Sequence, residues 1–135
     1  DKCFPLHGHT SAVRLSITGT LGADGMVIDF GEAKRLLNDA IALFDHKLVT
    51  SKCYSTRDAG EIVVRHGVHS FRLPEDQVCL LDGEATSENI NSALAALLAG
   101  KMPPNVGSIE LNISEGANKG SRLKISLDKG RFAEL

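Results

Sequence analysis

Ser108-Ile-Glu-Leu-Asn-Ile-Ser114 and Arg122-Leu-Lys-Ile-Ser-Leu127 alternate polar and apolar residues at every step, with the stretch Gly116–Gly120 between them. Successive side chains of a strand point to opposite faces. Ile109, Leu111 and Ile113 therefore share one face, as do Leu123, Ile125 and Leu127. Two such runs around a glycine-bounded turn predict an antiparallel hairpin with one buried face. The same period returns over Ser11–Thr20, where Val13, Leu15 and Ile17 alternate with Arg14, Ser16 and Thr18.

Between these strands two stretches change period. After a turn at Gly22–Gly25, Met26–Phe30 reads as a short extended piece ending at Asp29, which is placed to cap a helix with Glu32 three residues on. Ala33, Leu36, Leu37, Ala40, Ile41 and Phe44 then fall at helical spacing, and the helix is expected to end near Phe44–His46. A second helix is predicted from Thr86-Ser87, with Ile90, Leu94, Leu97 and Leu98 on its apolar side and a stop at Gly100 and Pro103-Pro104. Glu61–Leu73 reads as a hairpin turning at His66-Gly67, and Gln77–Leu81 as a further short strand. The fold class is α+β: an antiparallel sheet with two amphipathic helices packed on one face, in a single domain over residues 1–135.

Composition narrows the function. The chain has 135 residues, enough for one core, with 42% hydrophobic and 24% charged residues. Its net charge is −2, and its 15 basic residues are scattered among 17 acidic ones, which disfavours a nucleic-acid partner. No apolar run is long enough for a membrane helix and no secretion signal is visible, so a cytoplasmic location is expected. Three cysteines, Cys3, Cys53 and Cys79, at unrelated spacings suit individual thiols in a reducing compartment rather than a disulfide framework. Cys79, in an apolar run, reads as core, and Cys53 receives no role.

The residues with chemistry begin the chain. His7 and His9 flank Gly8 just before a strand, and in extended backbone both imidazoles project to one side, where they can meet at a common metal ion. On that pattern alone a metal site and an ordinary polar loop are equally good readings. Cys3, four residues ahead of His7, adds a thiol that becomes a base or nucleophile beside a dication. Asp45-His46 offers a carboxylate able to hold an imidazole in one tautomer for proton transfer, or simply a charged helix end. Glu115 closes a strand where a solvated acid is ordinary. His66 and His69, in the hairpin, read as exposed histidines.

Taken in order, Cys3-x-x-x-His7-Gly-His9, Gly25-Met-Val-Ile-Asp29-Phe30 with Lys34, Phe44-Asp45-His46, Glu84-Ala-Thr86-Ser87-Glu88-Asn89 and Ile113-Ser-Glu115 resemble the 6-pyruvoyltetrahydropterin synthase and 6-carboxytetrahydropterin synthase family. The resemblance spans nearly the whole chain. It implies the tunnelling fold (T-fold), in which subunits assemble into an oligomeric barrel, a hexamer or tetramer, with active sites at subunit interfaces. It also implies zinc, held by His7 and His9. Cys3, Asp45 and His46 would be catalytic, and Glu115 would anchor the pterin with help from Thr86 and Ser87. The third zinc ligand and a first strand are expected upstream of residue 1, since residues 1–135 contain neither; otherwise the chain lacks them.

The implied reaction starts from 7,8-dihydroneopterin triphosphate. The three residues between Cys3 and His7 resemble the queuosine-pathway enzymes, which form 6-carboxy-5,6,7,8-tetrahydropterin with loss of triphosphate and acetaldehyde. The alternatives are 6-pyruvoyltetrahydropterin synthase chemistry on the same substrate, or a non-catalytic pterin- or purine-binding relative without zinc.

Overall fold

The alternating runs form one antiparallel sheet in the structure, a computed structural model that describes residues 6–127. In chain order the elements are β1 (Ala12–Gly19), α1 (Phe30–Ile41), β2 (Leu48–Ser51), β3 (Ser55–Asp58), β4 (Glu61–His66), β5 (His69–Pro74), β6 (Val78–Leu81), α2 (Ser87–Ala99), β7 (Val106–Gly116) and β8 (Lys119–Ser126). The main sheet has the order β1-β7-β8, with β7 in the middle. Leu15 lies opposite Leu111, which lies opposite Leu123, so the apolar rows read from sequence line up across three strands. The other face carries the rows Arg14–Asn112–Arg122, Ser16–Glu110–Lys124 and Thr18–Ser108–Ser126.

Both helices close over the apolar face. Leu36 and Ala40 of α1, Leu94, Ala95 and Leu98 of α2, and Ile109, Leu111 and Ile113 of β7 form one buried cluster, edged by Val13, Leu15, Ile17, Leu123 and Ile125. Asp29 caps α1 by accepting from the Glu32 amide at 3.1 Å, and Thr86 caps α2 by accepting from the Asn89 amide at 3.1 Å. Arg35 bridges Glu32 and Asp39 along the exposed side of α1.

Asn105, on the link from α2 to β7, donates to the Thr20 and Val27 carbonyls at 2.8 and 2.7 Å. These bonds place the start of α1 and the end of α2 at one end of the sheet. The two helices therefore run antiparallel. The start of α2 and the end of α1 lie at the opposite end, where β1 begins and β7 finishes.

Four readings change. Met26–Phe30 is not extended throughout: the chain bends at Val27-Ile28, and Phe30 already belongs to α1. Its approach is folded on itself, with the Gly22 amide donating to the Met26 carbonyl and the Met26 amide to Asp24, while Val27 and Ile28 pack on the core. α1 ends at Ile41 rather than near Phe44–His46. Its last turn tightens through bonds from the Leu43 amide to Ala40 and the Phe44 amide to Ile41, which still deliver Phe44 to the core.

The sheet system is also larger than expected. β2 pairs in parallel with β6, Leu48 opposite Val78, and β3 adds an edge to the β4–β5 hairpin. Ile62 and Val64 are buried there, and Arg72 bridges Asp58 and Glu61. Cys79 on β6 is half-buried rather than core, and burial pushes its thiol pKa up, partly offset by Lys47.

The central row makes a direct demand on stability. Leu111 is fully buried, and Leu111→Ala is expected to cost about 2–5 kcal/mol through lost transfer energy and a residual cavity. Ser16→Ala on the exposed face of β1 should stay within about 0.5 kcal/mol. Urea unfolding midpoints of the two variants check this.

Candidate active site

Three of the sequence motifs meet at the Ser114 end of the main sheet. β1 starts there, with Ala12 opposite Ser114, so the loop holding His7 and His9 enters beside the end of β7. Glu115 follows Ser114 directly. Thr86 and Ser87 open α2 at the same end, because the Ser87 hydroxyl lies 3.0 Å from the Ser121 hydroxyl, and Ser121 is opposite Ile113. Asp45 and His46 follow the end of α1. Cys3 lies outside the described residues.

Glu115 is held by an irregularity the alternating pattern does not reveal. β8 pairs Gly120 with Ser114 and Lys119 with Gly116, which leaves Glu115 as the extra residue of a β-bulge. A bulge bends its strand and re-aims the side chain it carries. The turn that makes it is tight, since a Cβ on Gly120 would lie 2.1 Å from the Ile113 carbonyl oxygen. The Ser114 hydroxyl adds a bond to the Gly116 carbonyl at 3.3 Å. Glu115 is half-buried.

His7 and His9 come together as their spacing suggests. Their ring centroids are 4.7 Å apart and the rings are nearly perpendicular. Two imidazoles sharing a tetrahedral zinc at about 2.0 Å per bond would place their centroids about 5 Å apart. The separation matches two rings of one zinc site and equally an ordinary edge-to-face ring contact. Among the described residues no group of three His, Cys, Asp or Glu side chains is gathered to hold a metal.

Asp45 and His46 form a second, separate pair. His46 Nδ1 lies 2.9 Å from Asp45 Oδ1, so the carboxylate faces that ring nitrogen. His46 has φ +58, a left-handed conformation that histidine adopts more readily than most side chains, and it turns the chain from α1 into β2. Its side chain is 92% exposed.

The family model for 6-pyruvoyl tetrahydropterin synthase matches residues 1–124. The chain belongs to that family. It is a family of lyase-type enzymes. A Pyrococcus horikoshii protein named "Putative 6-carboxy-5,6,7,8-tetrahydropterin synthase" is 25% identical over 129 residues, covering 95% of this chain and 80% of that protein. A protein of the same name from Pyrococcus abyssi is 26% identical over 128 residues, covering 94% and 79%. The 6-pyruvoyl tetrahydropterin synthase structure from Plasmodium vivax superposes with a TM-score of 0.78 at 19% identity, covering 93% of this chain and 86% of that one. The Plasmodium falciparum structure gives 0.77 at 21%, covering 90% and 82%. These structures establish the fold.

Within this pterin synthase family fold, two further groups brace the site. Asn91, 1% exposed, donates to the Leu111 carbonyl and to the Ser121 hydroxyl, both at 3.1 Å, so it ties α2 to β7 and β8 beside Glu115. The signal was available, because Asn91 stands on the same helical stripe as Ser87, Leu94 and Leu98, a polar residue at a core position. Tyr54 donates its hydroxyl to the Glu84 carboxylate and stacks on His66, with centroids 4.1 Å apart. The Glu84 carbonyl in turn accepts from the Thr86 amide and the Asn89 side chain, both at 2.8 Å, so this contact reaches the cap of α2. No spacing rule links Tyr54 to Glu84.

The bond to Glu84, with smaller contributions from desolvation and the negative charge, pushes the Tyr54 phenol up to about 12. Tyr54 is the sole tyrosine and the chain has no tryptophan, so absorbance near 295 nm reports it alone. Its titration midpoint is expected well above the usual value near 10, and Glu84→Gln should bring it back toward that value. An unshifted wild-type midpoint would contradict this contact.

Proposed function

We propose that the chain is a zinc-dependent lyase acting on 7,8-dihydroneopterin triphosphate, in the cytoplasm, to give 6-carboxy-5,6,7,8-tetrahydropterin, triphosphate and acetaldehyde, as in the queuosine pathway. Atoms balance with the uptake of one water. The 6-pyruvoyl product would balance with no water, and is the alternative outcome at the same site. The observation that carries the reading is the gathering of the His7–His9 pair, the bulged Glu115 and the Thr86-Ser87 cap at one end of one sheet.

The residues divide the work. A carboxylate accepts two parallel N–H bonds, so Glu115 suits the 2-amino and ring N–H edge of a pterin, as it would a guanidinium. The bulge gives that carboxylate its direction, and Thr86-Ser87 would seat the ring beside it. His7 and His9 would hold zinc with a third ligand from outside the described residues. Zinc would supply Lewis-acid polarisation of the side-chain oxygens. Cys3 would take a side-chain proton as thiolate, and His46, oriented by Asp45, would carry a second proton transfer.

The exposure of His46 bears on assembly. A proton-transfer pair works best where water is excluded, and in one chain the ring stands almost wholly in solvent. This exposure supports a homo-oligomer in which Asp45–His46 of one subunit completes the site of another.

Turnover assayed by triphosphate release tests these roles. Glu115→Gln is expected to raise KM about 10–100-fold with kcat less affected, since it removes a charged hydrogen-bond acceptor used in binding. His46→Ala is expected to lower kcat about 10²–10⁴-fold with a smaller change in KM. Metal analysis should find one zinc per subunit in the full-length protein and a loss in His7→Ala and His9→Ala. A protein that binds pterin with no zinc and no turnover would replace this reading with the binding-module alternative.

A further inference from the structure

Two polar side chains stand where the periods of the core call for apolar ones. Asn91 lies on the stripe of α2 that also carries Leu94 and Leu98, and it is 1% exposed. Ser121 begins the row of β8 that continues through Leu123, Ile125 and Leu127 into the core. Asn91 Oδ1 is buried with no hydrogen-bond partner among the described residues. An unpaired buried acceptor is costly, and a leucine at this position would avoid it. Stability alone does not account for an amide there.

The hydrogen bonds around Ser121 have one consistent set of directions. The Leu111 carbonyl can only accept, so the Asn91 amide turns its nitrogen toward it and toward Ser121 Oγ, each at 3.1 Å. The Ser87 carbonyl can also only accept, and Ser121 Oγ lies 3.1 Å from it. A hydroxyl has a single proton to donate. If Ser121 gave that proton to the Ser87 hydroxyl, its contact with the Ser87 carbonyl would hold two facing oxygens and no proton. Ser121 therefore donates to the carbonyl, and the Ser87 hydroxyl, 3.0 Å away, donates to Ser121. Ser121 then uses its proton and both lone pairs. The Ser87 proton is committed inward, and only its lone pairs remain for a ligand.

We propose that Ser121, held in place by Asn91, is a positioning residue that makes Ser87 an acceptor-only group, so that with Glu115 this end of the sheet selects a ring edge rich in N–H donors. The inference rests on the reading above that a pterin binds here. Ser121 lies opposite Ile113, two residues before Glu115, or about 7 Å along the strand. One hydrogen-bonding edge of a bicyclic ring can bridge that separation. Glu115 would take the ring N–H and one N–H of the 2-amino group, and Ser87 the other amino N–H. A 2-oxo ring would turn an acceptor toward both groups and leave no proton between them.

Titration of the full-length protein with pterin and with lumazine, its 2-oxo counterpart, followed by ligand fluorescence, tests this without turnover. Wild type is expected to bind pterin at least about tenfold more tightly than lumazine. Ser121→Ala frees the Ser87 proton to face the ligand. Lumazine should then bind about three- to tenfold more tightly than it does to wild type, while pterin affinity changes by less than about twofold. Adding Ser87→Ala should abolish that gain, since no hydroxyl is left to donate. Ser121→Thr keeps the hydroxyl and should keep the wild-type ratio.

Equal weakening of both rings in S121A would reveal a merely structural role and overturn the inference. A lumazine gain that survives in S87A/S121A would do the same, as would S121T behaving like S121A. In each of these cases pterin binding by wild type leaves the proposed function standing. Wild type that binds neither ring would remove the pterin reading, and this inference with it.

Discussion

The register of β7 between its two neighbours is the constraint on which the rest of the molecule depends. One face of β7 supplies Ile109, Leu111 and Ile113 to the core beneath both helices, and the other supplies Glu110 and Asn112 to a polar, largely cationic surface. A slip of one residue would exchange the two faces and expose the core row. The register is held at one end by the approach of Gly120 to the Ile113 carbonyl, and at the other by Asn105 bonding across to Thr20 and Val27. The bulge at Glu115 arises where that register ends. The aim of the carboxylate is therefore a consequence of how the sheet is built, not a free loop conformation.

From that frame the site assembles by connection rather than by proximity in sequence. Ser121 of β8 receives the Asn91 amide and the Ser87 hydroxyl, so the cap of α2 is tied to the strand beside Glu115. β1, paired to the end of β7, brings in the His7–His9 loop. Asp45–His46 hangs from the end of α1 as an exposed pair. On the proposed reading the chain presents a pterin-binding end and two metal-binding histidines itself, and offers its proton-transfer pair to a neighbour.

The strands and helices with strong periods were legible from the residues. Val13, Leu15 and Ile17 marked β1, and Ile109, Leu111 and Ile113 marked β7, because a half-buried strand must alternate. β2 escaped because Leu48–Ser51 is four residues long and its partner β6 is thirty residues away, so its pairing is a tertiary fact with no local period. α1 ends earlier than its spacing predicts because Phe44 keeps helical spacing to the core through a tightened turn rather than through α-helix. At the site, the His-x-His spacing agrees with two neighbouring rings, 4.7 Å apart between centroids. The bulge at Glu115 could not be read, since Ile113-Ser-Glu115 looks like ordinary strand until β8 is laid beside it. Asn91 could have been noticed as a polar residue on an apolar stripe, whereas the Tyr54–Glu84 bond joins positions thirty residues apart with nothing in either neighbourhood to pair them.

The most direct measurement is a mass spectrum of the product after the full-length, zinc-loaded protein is incubated with 7,8-dihydroneopterin triphosphate. The expected result is 6-carboxy-5,6,7,8-tetrahydropterin with acetaldehyde and triphosphate in equal amounts. A 6-pyruvoyl product without acetaldehyde would keep the site and correct the reaction. Recovery of intact substrate, under conditions where the protein is folded and zinc-bound, would contradict the assignment of this end of the sheet as a pterin-forming active site.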